Sequence, residues 1–506
     1  MIMRKLLYIC VTLLCMSSCF SDLGNYEYVQ INEAVISDKG FENAYDVRRQ
    51  SDVLTIIPEI SFTLDKEEKG TYEYEWVAVG QNFYRGERFV IGRERDLHYP
   101  VELQAEQYIL YLKVKDMETD MVFSKSVGLD VRSTNTMGWV LAGETHDGKG
   151  QADMISLSST VLYLKNALEM REGLDLRPLT MAWIDNDEWT SEDRLYVASA
   201  EGTYKFGRED FAASPYTSLK YSFAFPDNTM PFVMTDSQKV SDKRHVVIVD
   251  GKAYIVSSDS GMIGNTFCVY DDVHDFSVAD KMICNHTDIQ GVRTFIFYDK
   301  DNHKFCYIAG LTVKGMNTLG DAEGDEWSWN TSNDFDGGLD LRTTVNSFFG
   351  NGQALALMEE RSGEDWIYVI TAPRTGAPVK NGRYKVDESV VTGWDDAVGY
   401  MLTTNHGFII YASGSTLYGY NFRKNPAECV VLKQFDAPIT CLKADYDTFE
   451  KYSDVFYVAT YDDSMERSGK VYKFNVTDHP DMMKIEQMQV YDEGFLKVRS
   501  ICYKAF

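Results

Sequence analysis

The sequence lacks the residue patterns that mark common catalytic and metal-binding sites. Its 8 histidines form no HExxH pair, its 9 cysteines form no CxxC pair, and it has no GxSxG elbow or phosphate-binding glycine loop. Helical periodicity is almost absent, and no apolar run after the first 18 residues is long enough to cross a membrane. The sequence therefore predicts a non-enzymatic protein without a cofactor.

Positive charge is also scarce. The chain has 50 Lys and Arg residues against 77 Asp and Glu residues, and its formal net charge is −27. A polyanion gains no counterion-release energy from another polyanion, so nucleic acid is excluded as a partner. The same charge argues against direct binding to an anionic membrane surface.

The cysteines are placed as small apolar side chains. Most of those after Cys19 lie inside runs typical of strands, such as TFCVY and KFCYIA. Cysteine in such runs usually fills the core. We expect buried free thiols at Cys268, Cys284, Cys306, Cys429, Cys441 and Cys502.

The start of the chain is typical of an export signal. Arg4 and Lys5 precede a short apolar run, and small serines then lead into Cys19. We predict a signal peptide over residues 1–18, lipidation of Cys19 and a linker over 19–26. Several acyl chains on one residue would give lasting membrane attachment. The alternative is an ordinary secretory signal in which Cys19 is incidental.

Short runs rich in Tyr, Val, Ile and Phe, broken by Gly, Asp and Asn, predict an all-β protein. In residues 27–132 the runs YEYEW (72–76) and YILYLKVKD (108–116) alternate apolar with charged residues. This alternation predicts an immunoglobulin-like or PKD-like sandwich.

Residues 138–506 repeat units of four strands, of which the clearest is ITCLKAD, DVFYVATYDD, GKVYKFNV and IEQMQVYD. Such units are typical of propeller blades. The last run, VRSICYKAF, has no partners beside it, and GWVLAGE lacks a preceding strand. Joining them predicts a seven-bladed propeller whose first blade is shared between the chain ends. Six or eight blades, or a pair of irregular sandwiches, are the alternatives.

Tryptophans supply the candidate ligand site. Trp327, Trp329 and Trp394 fall between a fourth strand and the next first strand, and Trp366 borders a hairpin of strands two and three. These loops share one propeller face, where exposed indoles could bind sugar rings or peptide side chains and Asp395 could bond to hydroxyls or amines. The alternative is that each indole packs between blades.

The acidic segment 330–340, NTSNDFDGGLD, also resembles part of a calcium loop. Asp334 and Asp336 have EF-hand-like spacing, but no glutamate closes the loop. A solvated acidic loop is the preferred interpretation, and Asp334 and Asp336 remain only a calcium alternative.

The run CFSDLGNYEY (19–28), followed by YEYEW, ERDLHYPVEL and YILYLKVKD, resembles the PKD-like family lipoproteins of Bacteroidetes. GWVLAGE and DMIS near residue 150 extend the resemblance. It implies a PKD-like domain followed by a propeller-like region in an outer-membrane lipoprotein. Such proteins are often encoded beside starch-utilisation-type import complexes that capture glycans or peptides. The resemblance supplies no catalytic residues.

These observations together predict a cell-surface lipoprotein of the outer membrane that binds extracellular glycan or peptide as an accessory to a nutrient import system. Import-complex proteins would be its partners. One alternative is a propeller glycoside hydrolase or lyase. Another is a structural adaptor that docks proteins.

Overall fold

A computed structural model describes the chain from residue 30 to residue 504 with short gaps. The residues in the gaps are 50, 82–84, 133–136, 158–160, 185–193, 208–209, 228, 242–243, 258–261, 286–293, 311–313, 336–337, 447, 449–453 and 478–482. The predicted signal peptide, the linker, Cys19 and Asp336 therefore lie outside the described residues. The chain divides into two compact units, Met1–Arg132 and Ser133–Phe506.

The first unit is built from strands alone in its described part. They are β1 (Ala34–Ile36), β2 (Ala44–Arg48), β3 (Val53–Ile56), β4 (Ile60–Phe62), β5 (Tyr72–Gly80), β6 (Arg88–Gly92), β7 (Leu97–Pro100), β8 (Glu106–Asp116) and β9 (Val122–Arg132). One sheet has the order β2-β9-β8-β5-β6, and β1 pairs with β4 and β3 with β7. Apolar side chains from all three groups share one core, as in a sandwich.

The alternation seen in the sequence places this core. Strand β8 alternates buried with less buried residues along its whole length, because successive side chains point to opposite faces. Trp76 of β5 lies opposite Leu112 of β8, and both are fully buried. The indole nitrogen of Trp76 donates to the carbonyl oxygen of Glu94 at 3.0 Å. The predicted sandwich is confirmed.

The second unit contains the remaining strands. In chain order they are β10 (Gly138–Glu144), β11 (Gly150–Leu157), β12 (Val161–Leu164), β13 (Glu169–Met170), β14 (Leu179–Ile184), β15 (Arg194–Ser199), β16 (Gly202–Gly207), β17 (Ala212–Ala213), β18 (Met234–Ser241), β19 (Arg244–Val249), β20 (Lys252–Ser257), β21 (Val269–Tyr270), β22 (Val273–His274), β23 (Ile283–Cys284), β24 (Thr294–Asp299), β25 (Lys304–Ala309), β26 (Asn317–Thr318), β27 (Leu339–Val345), β28 (Gln353–Glu360), β29 (Asp365–Thr371), β30 (Val379–Lys385), β31 (Gly399–Leu402), β32 (Ile409–Ser413), β33 (Thr416–Asn421), β34 (Glu428–Gln434), β35 (Ile439–Ala444), β36 (Val455–Thr460), β37 (Gly469–Val476), β38 (Ile485–Phe495) and β39 (Lys497–Lys504).

Short 3-10 helices interrupt these strands. Those in the described part of the chain are Pro215–Thr217, Leu219–Ser222, Thr331–Asn333 and Phe349–Asn351. Within the described ranges, no helix has the length and apolar character needed to span a bilayer.

Most of these strands form a propeller. The described residues contain seven sheets of three or four consecutive antiparallel strands, which we number as blades 1 to 7: β39 with β10–β12, β14–β16, β18–β20, β23–β26, β27–β30, β31–β34 and β35–β38. The first strands of neighbouring blades contact one another around the ring, as between β27 and β31 or β35 and β39. The predicted all-β propeller is confirmed, and the number of blades in the complete ring stays a prediction.

Blade 1 joins the two ends of the unit. Strand β39 pairs antiparallel with β10 from Lys504 opposite Gly138 to Lys497 opposite Glu144. The buried carboxylate of Asp153 on β11 accepts from the backbone N–H of Leu496 at 3.0 Å and pairs with Arg467 at 3.1 Å. The predicted sharing of the first blade between the chain ends is confirmed, and it leaves β10 without an open edge.

The free cysteines lie among these strands. Five of the six described cysteines are buried and Cys429 is partly buried. Burial raises the pKa of the Cys284 and Cys306 thiols well above the usual value, so both are inert side chains of the core. The expectation of free thiols is confirmed for these residues.

Candidate functional site

Three of the predicted ligand-binding tryptophans are core residues. Trp327 is 3% exposed, and Trp329 and Trp394 are each 4% exposed. The prediction that these indoles form exposed platforms is wrong. A buried aromatic ring removes a large apolar area from water and gains edge-to-face contacts, which an exposed ring would forgo.

Trp327 and Trp329 fill the contact between blades 4 and 5. Their rings meet edge to face with centroids 4.7 Å apart. Trp327 also packs on Tyr368 of β29 at 4.4 Å, and Trp329 packs on Phe305 of β25 at 5.9 Å. The segment carrying them is long because it fills a gap between two sheets.

Acidic residues of this segment hold it in place. The ammonium of Lys380, whose side chain is 11% exposed, donates to Asp321 at 2.8 Å and to Asp325 at 2.6 Å. It also lies 4.9 Å from the centre of the Trp327 ring. Asp321 and Asp325 are exposed residues that accept hydrogen bonds from Lys380. The preferred interpretation of 330–340 as a solvated acidic loop is wrong for Asp334, which is buried.

The calcium alternative also finds no support in the described residues. Asp334 is 7% exposed, and its carboxylate accepts from the N–H of Ser328 at 2.9 Å and from the hydroxyl of Tyr368 at 2.7 Å. In the part of the chain that is described, no three His, Cys, Asp or Glu side chains form a group able to hold a metal. Asp334 is a structural acceptor whose oxygens already have protein donors.

Trp366 is the one predicted indole that stays partly exposed. Its ring lies 4.7 Å from the ring of Phe335, and the guanidinium of Arg383 lies 5.1 Å from its centre. Phe335 and Arg383 thus cover part of the surface that a ligand would need. Whether Trp366 contacts a ligand stays a prediction.

Asp395 is the predicted ligand residue that borders an open cavity. This cavity of about 250 Å³ lies between the first strands of blades 5 and 6, and Lys281 from the start of blade 4 reaches its rim. Its polar lining consists of Lys281, Arg342, Thr343, Thr344, Asp395 and Tyr400. Val345 and residues 397–399 supply the small apolar part.

A β-bulge places Arg342 in this lining. In the pairing of β27 with β28, Leu341 lies opposite Met358 and Thr343 lies opposite Leu357, so Arg342 is an extra residue. A bulge re-aims the side chain that it adds and is often found next to functional sites. The same irregularity occurs at Arg499 in β39, where the guanidinium bonds to Glu144 at 2.9 Å.

Arg342 joins three carboxylates. One guanidinium nitrogen donates to Asp365 at 2.9 Å and to Asp395 at 2.8 Å, and the other lies 3.4 Å from Glu359. The side chain of Asp365 is 8% exposed, whereas that of Asp395 is 75% exposed. Arg342 therefore links a carboxyl inside the blade to one at the cavity mouth.

The two aspartates have opposite pKa shifts. Burial raises the pKa of Asp365 to about 7, against the attraction of Arg342 and with a further rise from Asp395. The hydrogen bond from Arg342 lowers the pKa of Asp395. Near neutral pH the site thus holds one ionised carboxylate and one carboxyl that is poised between its two forms.

Trp394 fixes the backbone that carries Asp395. Its ring packs edge to face on Tyr400 at 4.9 Å and on Tyr411 at 5.1 Å. The Tyr400 hydroxyl donates to the carbonyl oxygen of Trp394, and burial raises the pKa of Tyr400 to about 12. Trp394 is a positioning residue for its neighbour rather than a ligand contact.

Two polar groups of the lining have no partner among the described residues. The exposed ammonium of Lys281 makes no hydrogen bond or ion pair with any of them. Thr344 is 8% exposed, and its hydroxyl also makes no hydrogen bond within the described chain. Unpaired buried polar groups are uncommon in folded proteins.

Arg342, Asp365 and Lys281 were not predicted from the sequence. Arg342 and Asp365 are 23 residues apart in the chain, and Arg342 and Asp395 are 53 apart. An arginine in the middle of the otherwise uncharged run LRTTV was the available signal. The predicted strand order did bring Asp395 and the hairpin at Trp366 to the same part of the propeller.

Comparisons with known proteins agree with this architecture. Residues 19–177 match the model of the PKD-like family. The fold resembles the crystal structure of a quinonprotein alcohol dehydrogenase-like protein from Bacteroides thetaiotaomicron, with a TM-score of 0.51 and 14% identity over 94% of this chain and 100% of that one. A search of curated proteins finds no match.

Two further structures resemble this chain less closely. One is the extracellular domain of a B. thetaiotaomicron protein described as a one-component system, with a TM-score of 0.33 and 9% identity over 88% of this chain and 66% of that one. The other is the WD40 domain of SCAP from fission yeast, with a TM-score of 0.31 and 8% identity over 59% and 70%. At these identities the similarity concerns the fold alone.

Proposed function

We propose that this protein is a surface binding protein that holds one unit of an extracellular glycan or peptide in the cavity between blades 5 and 6. The observation that carries the proposal is a cavity whose lining joins an exposed ammonium without a counter-charge, that of Lys281, to the exposed carboxylate of Asp395. A few polar groups that converge on a concave site are typical of ligand binding.

The size of the cavity supports a small recognised unit. Its volume of about 250 Å³ lies just below the range of roughly 300–1,000 Å³ that is usual for pockets enclosing small molecules. One sugar residue or one amino-acid residue of a longer polymer is therefore a better match than an extended chain segment.

The proposed location is the outer membrane, with lipid attached at Cys19 and the propeller outside the cell. The export-type start of the chain and the match of residues 19–177 to the PKD-like family support this proposal. We further propose that the protein serves a starch-utilisation-type import system and has proteins of that system as partners. This part rests on the resemblance of the N-terminal motifs.

A matched pair of valines tests the binding site. Val398 is 49% exposed at the cavity, and Val431 is 61% exposed on β34, outside the lining. With any glycan or peptide that an array identifies, Val398→Trp should block the cavity and weaken binding at least tenfold. Val431→Trp should bind like the unaltered protein. Equal affinity of both variants would contradict the proposed site.

Acid–base catalysis is a second candidate function, because two neighbouring carboxyls have their pKa values pushed apart. In this case the unaltered protein would cleave the glycan that it binds. Asp395→Asn would remove the ionised partner, and turnover would fall at least a hundredfold while binding remained measurable. Binding without any product after prolonged incubation would contradict catalysis and leave the binding role in place.

A further inference from the structure

The cavity combines Lys281, a cation without a counter-charge, with polar groups that can bond to the hydroxyls of a ligand. We propose that the unit bound there is an acidic sugar residue whose carboxylate is held by Lys281. This inference rests on the proposed binding function and specifies its ligand.

The two cations at the cavity, Arg342 and Lys281, differ in whether they have a carboxylate partner. Arg342 is shared among Asp365, Asp395 and Glu359, at distances of 2.8 to 3.4 Å. Lys281 has no such partner among the described residues, and its side chain is exposed at the rim. Lys281 is therefore the cation that is available to a ligand.

The acidic neighbour Asp236 does not form an ion pair with Lys281. Its carboxylate accepts from the N–H of Met282 at 2.8 Å and from the amide of Gln238 at 3.0 Å, and it is 9% exposed. Lys281 influences Asp236 only through its charge, without an ion pair. The ammonium is thus left free to bind an external carboxylate, and a charge-assisted hydrogen bond is among the stronger polar contacts.

The remaining lining suits a sugar ring. Asp395 presents a 75% exposed carboxylate that can accept from sugar hydroxyls, and the partly exposed Thr343 adds a hydroxyl-bearing side chain to the lining. Tyr400 adds an aromatic residue to the lining. A sugar acid carries a carboxylate and several hydroxyls on one small ring, and this combination matches the lining better than an apolar amino-acid side chain does.

Matched ligands and matched lysine variants test the inference. The purified full chain is titrated with uronate oligosaccharides (oligogalacturonate, oligoalginate and hyaluronan oligomers) and with the carboxyl-reduced form of each. Free-acid and C-terminally amidated peptides form a separate arm. Lys281→Met removes the cation, and Lys281→Arg keeps it. Lys300→Met is the control, because Lys300 pairs with Asp280 at 3.7 Å and does not line the cavity.

We expect at least one uronate to bind tenfold or more tightly than its carboxyl-reduced form. Lys281→Met should abolish this preference without changing the melting temperature, while Lys281→Arg and Lys300→Met should retain it. Equal binding of acidic and reduced sugars, or an unchanged preference in Lys281→Met, would overturn the inference and leave the proposed function intact. Binding of peptides alone would also overturn it. Failure of the folded protein to bind any glycan or peptide would refute the proposed function itself.

Discussion

At the residue scale, Arg342 links the interior of blade 5 to the proposed binding cavity. It bonds on one side to Asp365, which is buried within blade 5, and on the other to Asp395, which is exposed at the cavity. Removing Arg342 would leave the carboxyl of Asp365 buried without its cation, at a large cost. Substitution of Arg342 would therefore confound folding with binding, and the valines and lysines around it are better probes.

The raised pKa of Asp365 predicts a pH-dependent stability. The pKa is about 7 in the folded protein, against about 3.9 in an unfolded chain. Between these pH values the folded state keeps a proton that the unfolded state has lost, so the free energy of unfolding falls as pH rises.

Asp365→Asn should flatten this dependence. Urea unfolding of the variant between pH 4 and pH 7 should show a smaller loss of stability than the unaltered protein shows. Asp280→Asn is the control, since the Asp280 side chain is 73% exposed. Identical pH slopes in all three proteins would show that Asp365 does not titrate in this window.

The buried indole of Trp327 gives a second prediction. Trp327→Ala should lower the free energy of unfolding by about 3–5 kcal/mol, because it leaves a cavity between blades 4 and 5. Trp366→Ala should cost less, since its ring is only partly buried. Chemical denaturation measures both, and a Trp327 variant as stable as the Trp366 variant would disagree with the structure.

At the scale of elements, strand β39 closes blade 1. It pairs with β10 along that strand's length and is the strand of blade 1 nearest β14 and β35. Without β39, strand β10 would present unpaired N–H and C=O groups that favour aggregation.

Deletion of residues 496–506 should therefore cause aggregation or a loss of several kcal/mol, a large part of a typical stability of 5–15 kcal/mol. Deletion of residues 505–506 alone is the control, because it leaves β39 complete. Thermal melting with light scattering gives the readout. A protein that melts at the same temperature without residues 496–506 would show that β39 contributes little to the ring.

At the scale of the whole molecule, the predicted lipid at Cys19 decides where the protein resides. Each buried methylene of an acyl chain contributes about 0.8 kcal/mol to membrane attachment. Cys19→Ala should move the protein from the membrane fraction to the soluble fraction and abolish fatty-acid labelling. Cys15→Ala should change neither, because Leu14 rather than a small residue precedes Cys15. Unchanged labelling of the Cys19 variant would contradict the lipoprotein proposal.

Local patterns in the sequence determined the all-β class, the sandwich strands and the sharing of blade 1. These features depend on alternation with a period of two and on turn residues, both of which act between near neighbours in the chain. The run VRSICYKAF could be assigned to the first blade because a strand without adjacent partners needs one elsewhere.

Tertiary structure alone decided which polar and aromatic residues are available to a ligand. Trp394 and Asp395 are adjacent in sequence, yet the indole is 4% exposed and the Asp395 side chain is 75% exposed. Their burial depends on Tyr400, Tyr411 and Arg342, which come from other strands. Because Arg342 and Asp395 are 53 positions apart, local periodicity carries no record of their contact, and the cavity emerges only when blades 4, 5 and 6 are assembled.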